Sequence, residues 1–147
     1  MIQRIQTVYM LLSAILLCFL LGIPYAEINN VGQLCVFDIK GITQDGAVVK
    51  DGIYIAILIA LIVILQFVAI FKFKKRPLQV HILAISTFLM IGLTGLLFFF
   101  IHYGFDNIEV SYKMAMSFPV VAAILDFMAI RRINKDETLI RSIDRIR

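Results

Sequence analysis

The residue in this chain most able to do chemistry from an unexpected place is Asp126, in the stretch ILDFMAIRRINKDE spanning positions 124–137. It is the one carboxylate inside a long apolar run, and an aspartate at mid-membrane costs roughly 2.5 to 3.5 kcal/mol to insert. Arg131 follows five residues later, so at 1.5 Å per helical residue Asp126 lies about 7 to 8 Å inside the end of the run, within reach of water or a basic side chain. Such a carboxylate either exchanges a proton or ion during transport or accepts a hydrogen bond from a neighbouring helix. Other reactive types are scattered. His81 and His102 stand near opposite ends of one apolar run and share no Cys, Asp or Glu at metal-ligand spacing. Cys18 lies within an apolar run and Cys35 in a polar connection, which excludes a bridge between them. The chain has no nucleophile elbow, P-loop or glycine-rich dinucleotide fingerprint. The expectation is therefore no catalytic set, no cofactor and no metal, with Ser13, Ser86, Thr87 and Thr94 as helix-packing residues.

The elements that must position Asp126 follow from composition. Of 147 residues, 61% are apolar, and the mean hydropathy is +0.95. Soluble domains use about 45 to 50% apolar residues, so a soluble core could not hide this surface. Four apolar runs approach the roughly 20 residues needed to cross hydrocarbon. They predict spans at about 7–25, 52–71, 78–101 and 114–131, as helices, because helices satisfy their own backbone hydrogen bonds in lipid. The expected fold class is all-α: a four-transmembrane-helix bundle of two helical hairpins, forming a single integral-membrane domain over 1–147. A cleaved leader is the weaker reading of the first run, which is long for one and carries Pro24 where a small residue is wanted.

Charge sets the orientation. The net charge is +4, and eleven of the fourteen basic residues fall before the first run, between the second and third, or after the fourth. Only Lys40, Lys50 and Lys113 occupy the other two connections. The positive-inside rule then predicts both termini and the middle turn in the cytoplasm. The basic residues form no single face suited to nucleic acid; the partners expected are the lipid bilayer and other inner-membrane or envelope proteins, or a second copy of the chain.

The connections carry pattern of their own. In the outer loop 26–51, alternating residues from Leu34 to Lys40 and the turn signal Asp45-Gly46 predict a small outer β-hairpin between helices 1 and 2. The second outer connection reads as a plain loop. In the tail 132–147, Ile133, Leu139, Ile140, Ile143 and Ile146 recur at helical spacing, and Glu137 is placed to pair with Arg141. This predicts a cytoplasmic amphipathic C-terminal helix on the membrane surface. Arg131, Arg132, Lys135, Glu137, Arg141 and Arg145 are its candidate interface or docking residues.

An internal match links the two halves. Ile64-Leu65-Gln66-Phe67-Val68-Ala69-Ile70 aligns with Ile124-Leu125-Asp126-Phe127-Met128-Ala129-Ile130, and Gln6 and Ser13 align more weakly with Gln79 and Ser86. A parallel repeat with a pseudo-twofold axis along the membrane normal would make Gln66 and Asp126 equivalent. They become the candidate intramembrane polar pair.

The opening MIQRIQTVYMLLSAIL and the closing FPVVAAILDFMAIRRINKDETLIRSIDRIR resemble the Bacteroidota family of small four-span membrane proteins known only as domain of unknown function 4293. The resemblance covers the chain and is strongest at its ends, in the ordered run Arg131, Lys135, Asp136, Glu137, Arg141, Ser142, Asp144, Arg145 and Arg147. It implies a bacterial inner-membrane protein and brings no activity with it. The family more often carries asparagine where this chain has Asp126, a departure that speaks against proton coupling. The functional expectation is a non-catalytic accessory or scaffolding subunit of an inner-membrane assembly; the alternative is a small solute or ion transporter or channel using Asp126.

Overall fold

The computed structural model of the chain describes residues 3–30, 33–73, 75–103 and 109–144, the last turns of the final helix as backbone only. Its helices are α1 (Gln3–Phe19), α2 (Ile53–Phe71), α3 (Arg76–His102) and α4 (Phe118–Asp144), the last preceded by a 3-10 turn at Met114–Ser117. Its strands are β1 (Ala26–Asn30), β2 (Gln33–Asp38), β3 (Gly41–Gln44), β4 (Ala47–Asp51) and β5 (Glu109–Tyr112). α1 packs beside α2 and α4, and α3 also lies between α2 and α4. The helices thus form a four-cornered bundle with α2 and α4 on one diagonal.

Three features overturn the sequence expectation. The chain is not all-α: the five strands form one antiparallel sheet in the order β4-β3-β2-β1-β5. What reads locally as one hairpin is four strands, and the second connection, read as a plain loop, supplies the fifth, pairing Ala26 with Tyr112 and Ile28 with Val110. The span count also falls. α2, α3 and the stretch Met114–Asp136 are long and apolar enough to cross a membrane, whereas α1 is not. At 17 residues α1 covers about 25 Å, short of the roughly 30 Å of hydrocarbon. It gives way to successive i to i+3 bonds at Leu20, Leu21 and Gly22, and Pro24 beyond them has no N–H with which to continue a helix. The tail, finally, is not a separate surface helix. With no glycine or proline after Pro119, α4 runs 27 residues from Phe118 into the tail, about 40 Å in one piece.

The sheet caps the bundle because one of its faces is apolar. Ile28, Cys35, Phe37 and Ile42 are buried against the helix ends, while Leu34 and Val48 face outward. Tyr25 ties the parts together. Its hydroxyl donates to the Leu20 carbonyl at 2.8 Å, its ring meets Phe37 edge-on at 5.2 Å, and its backbone bonds both Phe37 and Lys113. Phe37 in turn stacks on Phe100 of α3 at 6.1 Å. Lys50 reaches over Phe100 and Tyr103, 4.7 Å from each ring centre, and donates to the Tyr103 carbonyl at 2.9 Å. The turn between β3 and β4 is made by Asp45 and Gly46, both with positive φ, the conformation that suits a two-residue hairpin loop.

The helix surfaces are sorted as a bilayer requires. Ile57, Phe67, Phe88, Ile91, Ile124 and Phe127 point outward, each more than two-fifths exposed, while Met10, Leu17, Ile59, Ile62, Leu83 and Met90 are sealed inside. Burial repeats between the halves. Residues 119–130 carry the same succession of buried, half-buried and exposed positions as residues 59–70. Residues 78–93 match residues 5–20 except that Ala14 is buried where Thr87 is half-buried.

Candidate functional site

Among the described residues, six polar side chains are buried in the interior: Gln6, Ser13, Gln66, Gln79, Ser86 and Asp126. Four of them, Ser13, Gln66, Ser86 and Asp126, come one from each helix and have no exposed surface. Gln66 occupies the inward position one turn before Ala69, and Asp126 the corresponding position before Ala129, so the apolar periodicity of α2 and α4 turns both toward the bundle axis. The alanines let the helix backbones approach closely enough for short side chains to meet.

The Gln66 amide is the centre of the cluster. Its Nε2 donates to Asp126 Oδ2 at 2.8 Å and to Ser13 Oγ at 2.7 Å. Ser13 passes the chain on, donating to the Ala122 carbonyl at 3.1 Å. Gln66, Ser13 and Ser86 all face the Asp126 carboxylate. Three oxygens in this enclosure, Gln66 Oε1, Ser86 Oγ and Asp126 Oδ1, have no hydrogen-bond partner among the described residues. No cation stands near the carboxylate: among the described residues the one ion pair is Lys113 with Glu27, at 2.7 Å beside the sheet.

A second polar link lies toward the chain ends. Gln6 Nε2 donates to Asp136 Oδ2 at 2.6 Å, joining the start of α1 to the extension of α4, and Gln79 Nε2 reaches the Met10 sulfur at 3.6 Å. Ile133, buried among Met10, Ala69, Leu83 and Ala129, closes this end. Sequence reasoning passed over Asp136 as a tail charge. The signal for it was its place three residues after Ile133 on an unbroken helical period.

The candidate pair Gln66 and Asp126 is therefore brought into contact, and Ser13 and Ser86, read as packing residues, join it. Of the candidate docking residues, Arg131, Arg132 and Lys135 line one cavity with Met128 on α4. Arg131 and Arg132 are exposed on α4, the former with its guanidinium 6.0 Å from the Phe127 ring, and Lys135 is exposed one turn on. The side chains of Glu137 and Arg141, and the whole of Arg145, lie outside the described residues. His81 and His102 bond backbone carbonyls one turn back on α3 and do not meet. Among the described residues no group of three or more His, Cys, Asp or Glu is placed to hold a metal ion.

An apolar-faced bundle with three helices of spanning length, capped by a small antiparallel sheet and tied by a buried polar cluster, defines a membrane protein of mixed α and β structure. The chain belongs to the family described as Domain of unknown function (DUF4293), whose model matches residues 2–146. No curated protein and no solved structure matches it.

Proposed function

We propose that this chain is a non-catalytic accessory or scaffolding protein of a bacterial inner-membrane assembly, a single multi-pass unit with its basic end and C-terminus in the cytoplasm. The observation that carries this reading is the enclosure of Asp126. Its carboxylate has no exposed surface and takes the Gln66 amide at 2.8 Å, so the strongest polar group of the interior is spent on joining helices. A group so used specifies helix register. Orientation follows from charge: Lys72, Lys75, Arg76, Arg131, Arg132 and Lys135 lie at the end opposite the sheet, where the positive-inside rule expects them.

Purification of the tagged chain in mild detergent, with identification of what accompanies it, tests the scaffold. A reproducible envelope partner in fixed ratio is the expected result, and a chain that always purifies alone would remove the reading. Cys35 is buried, so side-specific labelling of the native thiol cannot report orientation. Leu34→Cys, at a position 69% exposed on β2, supplies the reporter. In a background with Cys18 and Cys35 replaced it should react with an impermeant maleimide from the outer face of intact spheroplasts, and labelling only after lysis would reverse the topology.

One observation favours the rival, a small ion or solute transporter. Asp126 Oδ1, Gln66 Oε1 and Ser86 Oγ are buried without partners, three oxygens that an ion or a proton could engage. Transport that depends on Asp126 and is lost in Asp126→Asn at unchanged stability would establish it.

A further inference from the structure

The start of α1 and the turn between α2 and α3 enclose a groove of about 590 Å³ at the basic end of the bundle. Its two walls are apolar and face outward: Val8 and Leu11 from α1, 53% and 47% exposed, and Phe71 and Phe73 across from them, 76% and 50% exposed. Arg76 stands at its mouth, half-buried, with no carboxylate in ion-pair distance among the described residues. Lys72 and Lys75, neighbours in sequence of Phe71, Phe73 and Arg76, are both exposed. The nearby Gln6 amide is already held by Asp136.

We propose that this groove binds one anionic phospholipid, its phosphate on Arg76 and the upper part of an acyl chain between the α1 wall and Phe71. Two requirements select that occupant. A half-buried guanidinium with no counter-ion among the described residues calls for a planar anionic partner, which phosphate supplies through paired N–H donors. The walls beyond it call for hydrocarbon, because they are apolar and open to the bilayer. Inorganic phosphate would satisfy the first requirement and a zwitterionic lipid the second, with its own cation close to Arg76. An apolar helix from a second copy would desolvate the arginine without pairing it. The proposal does not depend on which side of the membrane the basic end occupies, nor on the scaffold reading.

The test uses the full chain in a neutral detergent, titrated with phosphatidylglycerol or phosphatidylcholine and read by native mass spectrometry and by the midpoint of thermal unfolding. One phosphatidylglycerol should be retained preferentially and should raise the midpoint, as any ligand of the folded state does. Arg76→Gln should weaken its retention about fivefold, the factor expected for one basic group at a membrane surface. Leu11→Trp, which fills the groove without altering charge, should weaken it as well, and so keeps the test decisive where Arg76→Gln fails to fold. Arg132→Gln, outside the groove, should leave retention unchanged. Equal retention of the two lipids, or equal losses in Arg76→Gln and Arg132→Gln, would overturn the proposal and leave a diffuse attraction to the surface. Retention unaffected by Leu11→Trp, or a second copy of the chain bound in place of lipid, would overturn it too.

Discussion

Gln66 and Asp126 meet at 2.8 Å from opposite corners of the bundle, the amide of α2 donating to the carboxylate of α4. The same amide holds Ser13 of α1 at 2.7 Å. Three helices therefore share one side chain, and each change to the cluster has a distinct expected cost.

Asp126→Asn should be close to neutral in stability, because an amide keeps an oxygen to accept from Gln66. Asp126→Leu should cost about 1 to 3 kcal/mol, since it strands a buried N–H of Gln66. Adding Gln66→Leu should recover part of that loss. Thermal unfolding in detergent ranks the three, and an asparagine variant as unstable as the leucine variant would contradict the structural role of the pair.

The two serines should separate. Ser13→Ala removes both an acceptor for Gln66 and a donor to the Ala122 carbonyl, whereas Ser86→Ala removes a hydroxyl that has no bonded partner. Interhelical hydrogen bonds in membranes average about 0.6 kcal/mol, so Ser13→Ala should lose about 1 kcal/mol and Ser86→Ala less. Paired melting curves decide the order, and the reverse order would mean that Ser86 carries a bond the cluster depends on.

The sheet offers a sharper contrast. Gly41 has φ +110, and a Cβ there would stand 1.9 Å from the Lys50 carbonyl oxygen and 2.5 Å from the Gly52 nitrogen. Gly46 has φ +82 with open space around it. Gly46→Ala should cost only the left-handed backbone, about 1 to 2 kcal/mol. Gly41→Ala adds a backbone clash that no rotamer relieves, and should destabilise by more than Gly46→Ala. Hydrogen exchange in β3 and β4 reads the difference, and equal protection in both variants would show that the sheet edge yields easily.

The far end of α4 should be dispensable for the bundle up to a definable point. Deleting residues 138–147 keeps Ile133 and the bond from Gln6 to Asp136, so the helices should stay packed and thermal stability should change little. Asp136→Ala leaves the chain full length yet should speed amide exchange in residues 132–136. If the truncation costs more stability than Asp136→Ala, the tail contributes packing beyond those contacts.

Much of the helical framework was legible because it is written locally. Apolar runs of near-membrane length, the basic residues gathered at alternate connections, and the match of ILQFVAI with ILDFMAI all reside in short windows. An i to i+4 period turns equivalent positions the same way, which is why Gln66 and Asp126 could be paired on paper. The Asp45-Gly46 turn was equally plain, since two adjacent residues tolerant of positive φ announce a hairpin. What remained hidden depended on distance along the chain. β5 is four residues long, and its pairing of Val110 with Ile28 joins segments more than eighty positions apart, so no local pattern marks either as a partner. The helical end of α1 is set by Tyr25 folding back onto Leu20 and Phe37, which places the chain in the sheet where hydropathy alone would carry it across the membrane. Whether Ser13 or Ser86 takes the Gln66 amide is decided by helix rotation and spacing, and those exist only once the four helices are packed.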